Sequence, residues 1–165
     1  MSMHCEIPAS FTPMTAFDAI ETILPHRGTM LLLDSVSACD ETTLRAHASV
    51  DGSAWYADAA GAMPVWIGIE LMAQAIAAHV ALLAQRAGAA VRPGVLLGSR
   101  RYHAHQPAFA CGSALVIEVS ELLRSEAGHG AYECAISSAG VCGAQAVVKV
   151  FQPDDFHAFI GRSIR

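Results

Sequence analysis

The sequence predicts an α+β domain in which a curved antiparallel sheet wraps one long apolar helix, and three observations carry that expectation. From Pro64 to Ala87 the only strongly polar side chains are Glu70, Gln74, His79, Gln85 and Arg86. That is too few for a surface amphipath, so the segment reads as a helix buried nearly all round. Segments of β character flank it on both sides, with turn residues between them. The chain has 165 residues, 53% of them hydrophobic and 15% charged. It is therefore read as a single domain over 1–165, with a core from about 17 to 152.

Phe17 to Leu24 carries apolar residues at helical spacing and stops before Pro25, which predicts a short helix. Thr29 to Ala38 and Thr43 to Val50 read as a hairpin around Cys39-Asp40-Glu41-Thr42, the second arm alternating apolar with polar. Asp51 to Ala62, rich in Gly, Ala, Ser and Asp, reads as a loop into the long helix. Pro64 suits the first turn of that helix and Gly88 its stop. Arg92-Pro93-Gly94 then marks a turn, and Val95 to His105 is extended. Ala114 to Leu123, Gly130 to Ser138 and Val141 to Gln152 complete a four-strand antiparallel run, with Ser138-Ala139-Gly140 a good hairpin signal. The tail from Pro153 is expected to be peripheral. One helix covered over most of its circumference requires the sheet to curl round it. That arrangement is the hot-dog fold, and an isolated copy leaves edges uncovered, so a dimer is expected.

Composition excludes several function classes. A net charge of -5 with ten basic residues argues against nucleic-acid binding. The helix from Pro64 comes nearest to a membrane span, but Glu70 and Gln74 lie inside it. Met1 to Ser10 shows no basic region followed by an apolar stretch, which makes the cytoplasm the expected compartment. Cys5, Cys39, Cys111, Cys134 and Cys142 are odd in number and widely spaced, a pattern suited to reduced thiols and not to disulfides or zinc. No cofactor and no metal is expected.

Two motifs carry a resemblance that covers most of the chain. Leu24-Pro25-His26-Arg27 followed by Met30 to Val36, and Met63-Pro64 followed by Glu70 and Ala73-Gln74, stand in the right order. In these the sequence resembles the beta-hydroxyacyl-acyl-carrier-protein dehydratases of fatty-acid synthesis. Arg101 to Gly112, with Pro107, more loosely resembles a later strand and turn of that family. The resemblance implies a His that removes the proton alpha to a thioester carbonyl and a helix Glu that protonates the leaving hydroxyl. Such chemistry needs a base near neutral pKa and donors at the helix N-terminus to stabilise the enolate. Glu70 matches the family Glu. The His does not match: its position falls on Tyr56, and the family's Phe-Pro-Gly becomes Ala57-Asp58-Ala59. Val65 also replaces the Gly whose backbone approaches the thioester. On the run from Met63 to His79 the chain resembles most the divergent dehydratase-like proteins of aryl-polyene pigment clusters, where two hot-dog chains work together.

The residues themselves leave alternatives open. Glu70 is the strongest site candidate, as an acid and base whose pKa burial would raise, or else a structural carboxylate paired across an interface. Gln74, one turn on, either orients Glu70 or substrate or serves a core hydrogen bond. Asp58 and Tyr56 stand where a base or substrate contact belongs, although an Asp in such a loop is commonly a cap. Val65 and Trp66 at the helix start are candidate substrate contacts. His103 and His105 share a strand face with Arg101 and face a cleft, a metal or solvent. His26 and Arg27 are read as structural or dimer-related, and His79, nine residues and about 13 Å beyond Glu70, as a core or interface histidine.

The expected function is dehydration of 3-hydroxyacyl thioesters on an acyl carrier protein, in fatty-acid or polyene-type biosynthesis. Arg27, Arg100 and Arg101 are available to meet the acidic carrier. Two alternatives remain: a non-catalytic acyl-binding or partner subunit of a heteromeric dehydratase, suggested by the missing His, and an acyl thioesterase. The partners expected are the carrier protein and a second hot-dog chain, identical or different.

Overall fold

A computed structural model describes residues 17–163. Met1 to Ser10, including Cys5, lies outside the described residues. The helix expected from Phe17 is one turn long, α1 (Ile20–Ile23). It ends because Leu24, restricted by the following proline, is extended.

The strand expected from Thr29 starts later. Gly28–Met30 forms a turn of 3-10 helix, and β1 covers only Ser35–Cys39. Between them, the Leu32 amide donates to Gln74 Oε1 and the Met30 carbonyl accepts from Gln74 Nε2. Those backbone groups are bonded to a helix side chain, so a strand partner is not needed there.

β2 (Thr43–Ser49) pairs with β1, and a loop then leads to β3 (Met63–Pro64). A 3-10 turn over Val65–Ile67 opens α2 (Gly68–Arg86). After it come β4 (Val95–Ala104), β5 (Ala108–Phe109), β6 (Ala114–Arg124), β7 (His129–Ser138) and β8 (Val141–Phe151). The tail carries α3 (Phe156–Ser163), whose start is capped by Asp155 Oδ1 accepting from the Ala158 amide at 2.9 Å.

The six-stranded antiparallel sheet runs β1-β2-β6-β7-β8-β4. Only β6, β7 and β8 form a meander. β4 does not sit beside the strand that follows it; it pairs with β8 at the far edge. The two-residue pairing of β3 with β5 returns the chain to β6, next to β2. The β7–β8 turn holds Ala139 at φ 49° and Gly140 at φ 76°, the left-handed pair of a tight two-residue hairpin.

Helix α2 lies across the concave face and touches β1, β2, β6, β7 and β8. Leu71, Met72, Ala75, Ile76, Ala78 and Leu82 are buried against inward residues such as Leu44, Ile117 and Ile136. By length and composition Val65–Arg86 would serve as a membrane span. Its buried side chains face the sheet instead, as a core helix's do.

The helix is not buried all round, however. Glu70, Ala73, Ala77 and Val80 are half-exposed, and their helical spacing places them on one face that looks into a cavity.

Candidate active site

The cavity has a volume of about 570 Å³ and lies between the open face of α2, the segment Thr22–Arg27, the segment Val91–Leu96 and the end of β8. One end is polar, with His26, Arg27, Glu70 and Gln74. The remainder is walled by apolar side chains that include Ile23, Ala77, Val80, Leu96, Val150 and Phe151. A cleft mostly apolar with a few convergent polar groups is the usual form of a small-molecule site.

Glu70 stands in the first turn of α2, at the polar end of the cavity. Its side chain is 33% exposed, so desolvation is partial. Gln74 is 1% exposed, and its Nε2 donates to Glu70 Oε1 at 2.9 Å and to the Met30 carbonyl at 2.7 Å, while its Oε1 accepts from the Leu32 amide at 3.0 Å. Its hydrogen bonds thus run both to the carboxylate and to core backbone. It orients the carboxylate, and it ties the 30–32 segment to the helix.

The structure adds a residue that the motif reading set aside. His26 Nε2 lies 3.8 Å from Glu70 Oε1. Its Nδ1 is shielded from solvent without a hydrogen-bond partner among the described residues. The adjacent Arg27 donates through Nη1 to the carbonyls of Leu24, at 2.5 Å, and His26, at 2.7 Å. That contact pins the turn carrying the imidazole. A sequence signal existed in Leu24-Pro25-His26-Arg27, but 44 residues separate His26 from Glu70, and only the tertiary path of the chain brings them together.

The other candidates are placed elsewhere. Tyr56 Oη accepts from the Asp51 amide at 3.0 Å, and its ring stacks edge-on against Trp55. Asp58 Oδ1 accepts from the amides of Ala60 and Ala62, at 2.8 and 2.9 Å, as a loop cap does. Neither lines the cavity.

Val65 is buried, and its amide donates to the Pro107 carbonyl at 3.0 Å. Its carbonyl accepts from the Tyr102 hydroxyl. Burial pushes that hydroxyl up to about 12, so it remains a donor. Trp66 is exposed at the helix start, outside the cavity lining. His103 lines a separate, smaller depression with Arg101, Glu133 and Gln145. His105 Nε2 is 3.3 Å from Gln145 Oε1. Among the described residues no three His, Cys, Asp or Glu side chains converge as a metal would require.

His79 proves to be a core residue. It is fully buried, with Nε2–H donating to the Asp40 carbonyl at 3.1 Å and Nδ1 3.3 Å from Tyr132 Oη. Burial holds its pKa below the usual imidazole range.

Comparison with known proteins agrees with this architecture. A chain of the ApeI:P dehydratase heterocomplex from Xenorhabdus doucetiae superposes with a TM-score of 0.83 at 27% identity, over 90% of this chain and 99% of that one. A hypothetical thioesterase with coenzyme A from Streptococcus pneumoniae superposes with a TM-score of 0.57 at 15% identity, over 73% of this chain and 88% of that one. The phenylacetic acid degradation protein PaaI from Thermus thermophilus, in a mutant form, gives 0.55 at 20% identity, over 74% and 94%. At those identities the last two show the shared hot-dog fold alone. No curated protein matches the sequence. The profile of the ApeP-like family, described as ApeP dehydratase, matches residues 18–161. With its long helix in a six-stranded sheet and a match over nearly the whole described chain, this protein belongs to the ApeP-like dehydratase family.

Proposed function

We propose that this chain serves in the dehydration of 3-hydroxyacyl thioesters carried on acyl carrier protein, as one subunit of a heteromeric hot-dog dehydratase in the cytoplasm. The observation that carries this reading is Glu70 at the polar end of an apolar-walled cavity of about 570 Å³. The acyl chain lies along Ala73, Ala77 and Val80, and the 3-hydroxyl meets Glu70. Dehydration removes one proton from C2 and the hydroxyl from C3, forms the C2–C3 double bond and releases water. Glu70 delivers the proton that turns the departing hydroxyl into water. Gln74, through its bond to Glu70, fixes which carboxylate oxygen faces the substrate.

Two observations support a partner. A chain of a dehydratase heterocomplex is similar to this one over nearly its whole length. The ten-residue strand β4 is paired on one side only among the described residues, and Leu97 on it is exposed. Arg100 and Arg101 on the same strand are exposed and suit an acidic carrier.

A second reading, a subunit that binds acyl chains without catalysing, is favoured by one observation. The position of the family's base is held by Tyr56, whose hydroxyl is occupied by the Asp51 amide.

Mass spectrometry of a 3-hydroxyacyl carrier protein incubated with the purified chain, alone and with a copurifying hot-dog partner, separates these readings. Loss of one water with wild type, reduced about 10²- to 10⁴-fold by Glu70→Gln, is the expected result. Full activity of a complex containing Glu70→Gln would leave the non-catalytic role. Release of free acid would instead indicate thioester hydrolysis.

A further inference from the structure

We infer that the segment 91–94 is the far wall of the acyl groove and that Gln152 positions it, so that the site favours long acyl chains over short ones. The inference rests on the dehydration reading above and names the substrate class of the same site.

The groove has a direction. Glu70 and Val80 both line the cavity, and the ten residues from one to the other along α2 span about 15 Å. An extended chain advances about 3.5 Å for every three bonds. With its 3-hydroxyl at Glu70, a substrate therefore needs about a dozen carbons beyond C3 to reach the turn of Val80. Gly68, at the start of α2, lies against Tyr102 of β4 and Ile136 of β7, whereas His79 meets Tyr132, nearer the start of β7. Val95 and His129, the first residues of β4 and β7, share the partner Phe151. Both strands thus begin beside the later turns of α2. The segment 91–94, immediately before β4, stands at the end of the cavity away from Glu70.

At that end Val91 and Leu96 are 45% and 39% exposed. A chain lying along Ala77 and Val80 would cover this apolar surface, and each methylene so buried strengthens binding about fourfold. A short chain ends before it.

The wall has no regular structure of its own and is tied to the tail after β8 by two hydrogen bonds. Gln152 Nε2 donates to the Arg92 carbonyl at 2.6 Å, and Arg92 Nη1 donates to Asp154 Oδ1 at 2.6 Å. The second ends on an exposed carboxylate that water screens, so the Gln152 bond carries the placement. Gln152 is itself fixed. Its amide donates to the Gly128 carbonyl at 2.9 Å. A Cβ at Gly128, where φ is 89°, would lie 2.2 Å from the Gln152 carbonyl oxygen. The β6–β7 turn therefore holds the backbone from which Gln152 reaches the wall, the support that a binding surface built on a loop requires.

The test compares wild type, Gln152→Ala and Val91→Ser in the protein as purified, with its hot-dog partner where one accompanies it. It follows dehydration of 3-hydroxyhexanoyl and 3-hydroxytetradecanoyl carrier protein, and hydrogen exchange of the amides in 89–94. Wild type is expected to show the higher kcat/KM on the tetradecanoyl substrate. In Gln152→Ala, exchange in 89–94 should speed up. The tetradecanoyl-to-hexanoyl ratio of kcat/KM should fall about tenfold, through KM and not kcat, as when about two methylenes return to water. Val91→Ser should lower the same ratio with exchange unchanged, since it removes the contact and keeps the latch. If Gln152→Ala does not fold, Val91→Ser decides alone.

Equal use of both substrates by wild type, or an unchanged ratio in a Gln152→Ala protein whose segment is released, overturns the inference and leaves the dehydration reading standing. Unchanged exchange in Gln152→Ala overturns the positioning role. A wild type that releases no water removes the dehydration reading, and calorimetry with tetradecanoate then judges the wall. Binding weakened by Gln152→Ala supports it; equal or absent binding overturns it.

Discussion

Gln74 concentrates the site's local energetics in one side chain. Its amide makes three hydrogen bonds, to Glu70, to the Met30 carbonyl and to the Leu32 amide, from a buried position. Gln74→Ala leaves buried groups of the 30–32 segment unpaired, at about 1–3 kcal/mol each. We expect a destabilisation of about 2–4 kcal/mol by urea unfolding, with a fall in any Glu70-dependent activity. Gln74→Glu is expected to be worse for activity, because it replaces the donor to Glu70 with a second carboxylate. At this scale the sequence was partly legible. An apolar helix with an isolated Glu and a Gln one turn on is visible by eye. Its other two partners are backbone atoms more than 40 residues away, which no local pattern reveals.

The start of α2 depends on how closely β4 approaches it. A Cβ at Gly68 would lie 2.5 Å from Tyr102 Oη and 2.8 Å from Ile136 Cδ1. The same Tyr102 hydroxyl donates to the Val65 carbonyl and so anchors the turn before the helix. Gly68→Ala is therefore expected to cost about 1–3 kcal/mol by overpacking. In Gly68→Ala/Tyr102→Phe the loss should be smaller than the sum of the single losses, since removing the hydroxyl opens the space the methyl needs. Additive losses in chemical denaturation would disprove this coupling. Strand boundaries were legible where alternation is strong: the observed β2, β6, β7 and β8 fall within one residue of their expected ends. The start of β1 was not legible, because Thr29 to Leu33 has strand-like composition but its backbone at Met30 and Leu32 bonds to the helix. β3 and β5 are two residues each and carry no periodicity at all.

Two polar clusters meet α2, one at Glu70 and Gln74 in its first half and one at His79 further along, and the first of them faces the cavity. The second joins His79, Tyr132, Glu121, Arg124 and the Asp40 carbonyl. Tyr132 Oη donates to Glu121 Oε2 at 2.9 Å, and Arg124 Nε donates to the same oxygen at 2.8 Å. This cluster ties the β1–β2 turn to β6, β7 and the helix. Its pH response follows from the lowered pKa of His79, caused first by burial. The unfolded chain takes up a proton near pH 6.5 while the folded chain resists it, so stability is fully present above that pH. It is lost as pH falls from there through the folded value, at up to about 1.4 kcal/mol per pH unit. We expect wild type to lose more stability than His79→Gln between about pH 7.5 and 5.5, compared as the difference of their denaturation curves. Equal slopes would show that His79 does not titrate in that window.

Periodicity and composition determined the class of this protein: one buried helix, a sheet to wrap it and a lone acid on the helix. They do so because burial imposes a repeat that local sequence must obey. The family also followed from short motifs. What only the tertiary structure decided was the placement of β4 at the edge beside β8, the open face of α2, and the meeting of His26 with Glu70. Strand order and cavity walls are set by long-range packing among segments far apart in the chain, and such pairings leave no periodic trace in any one of them.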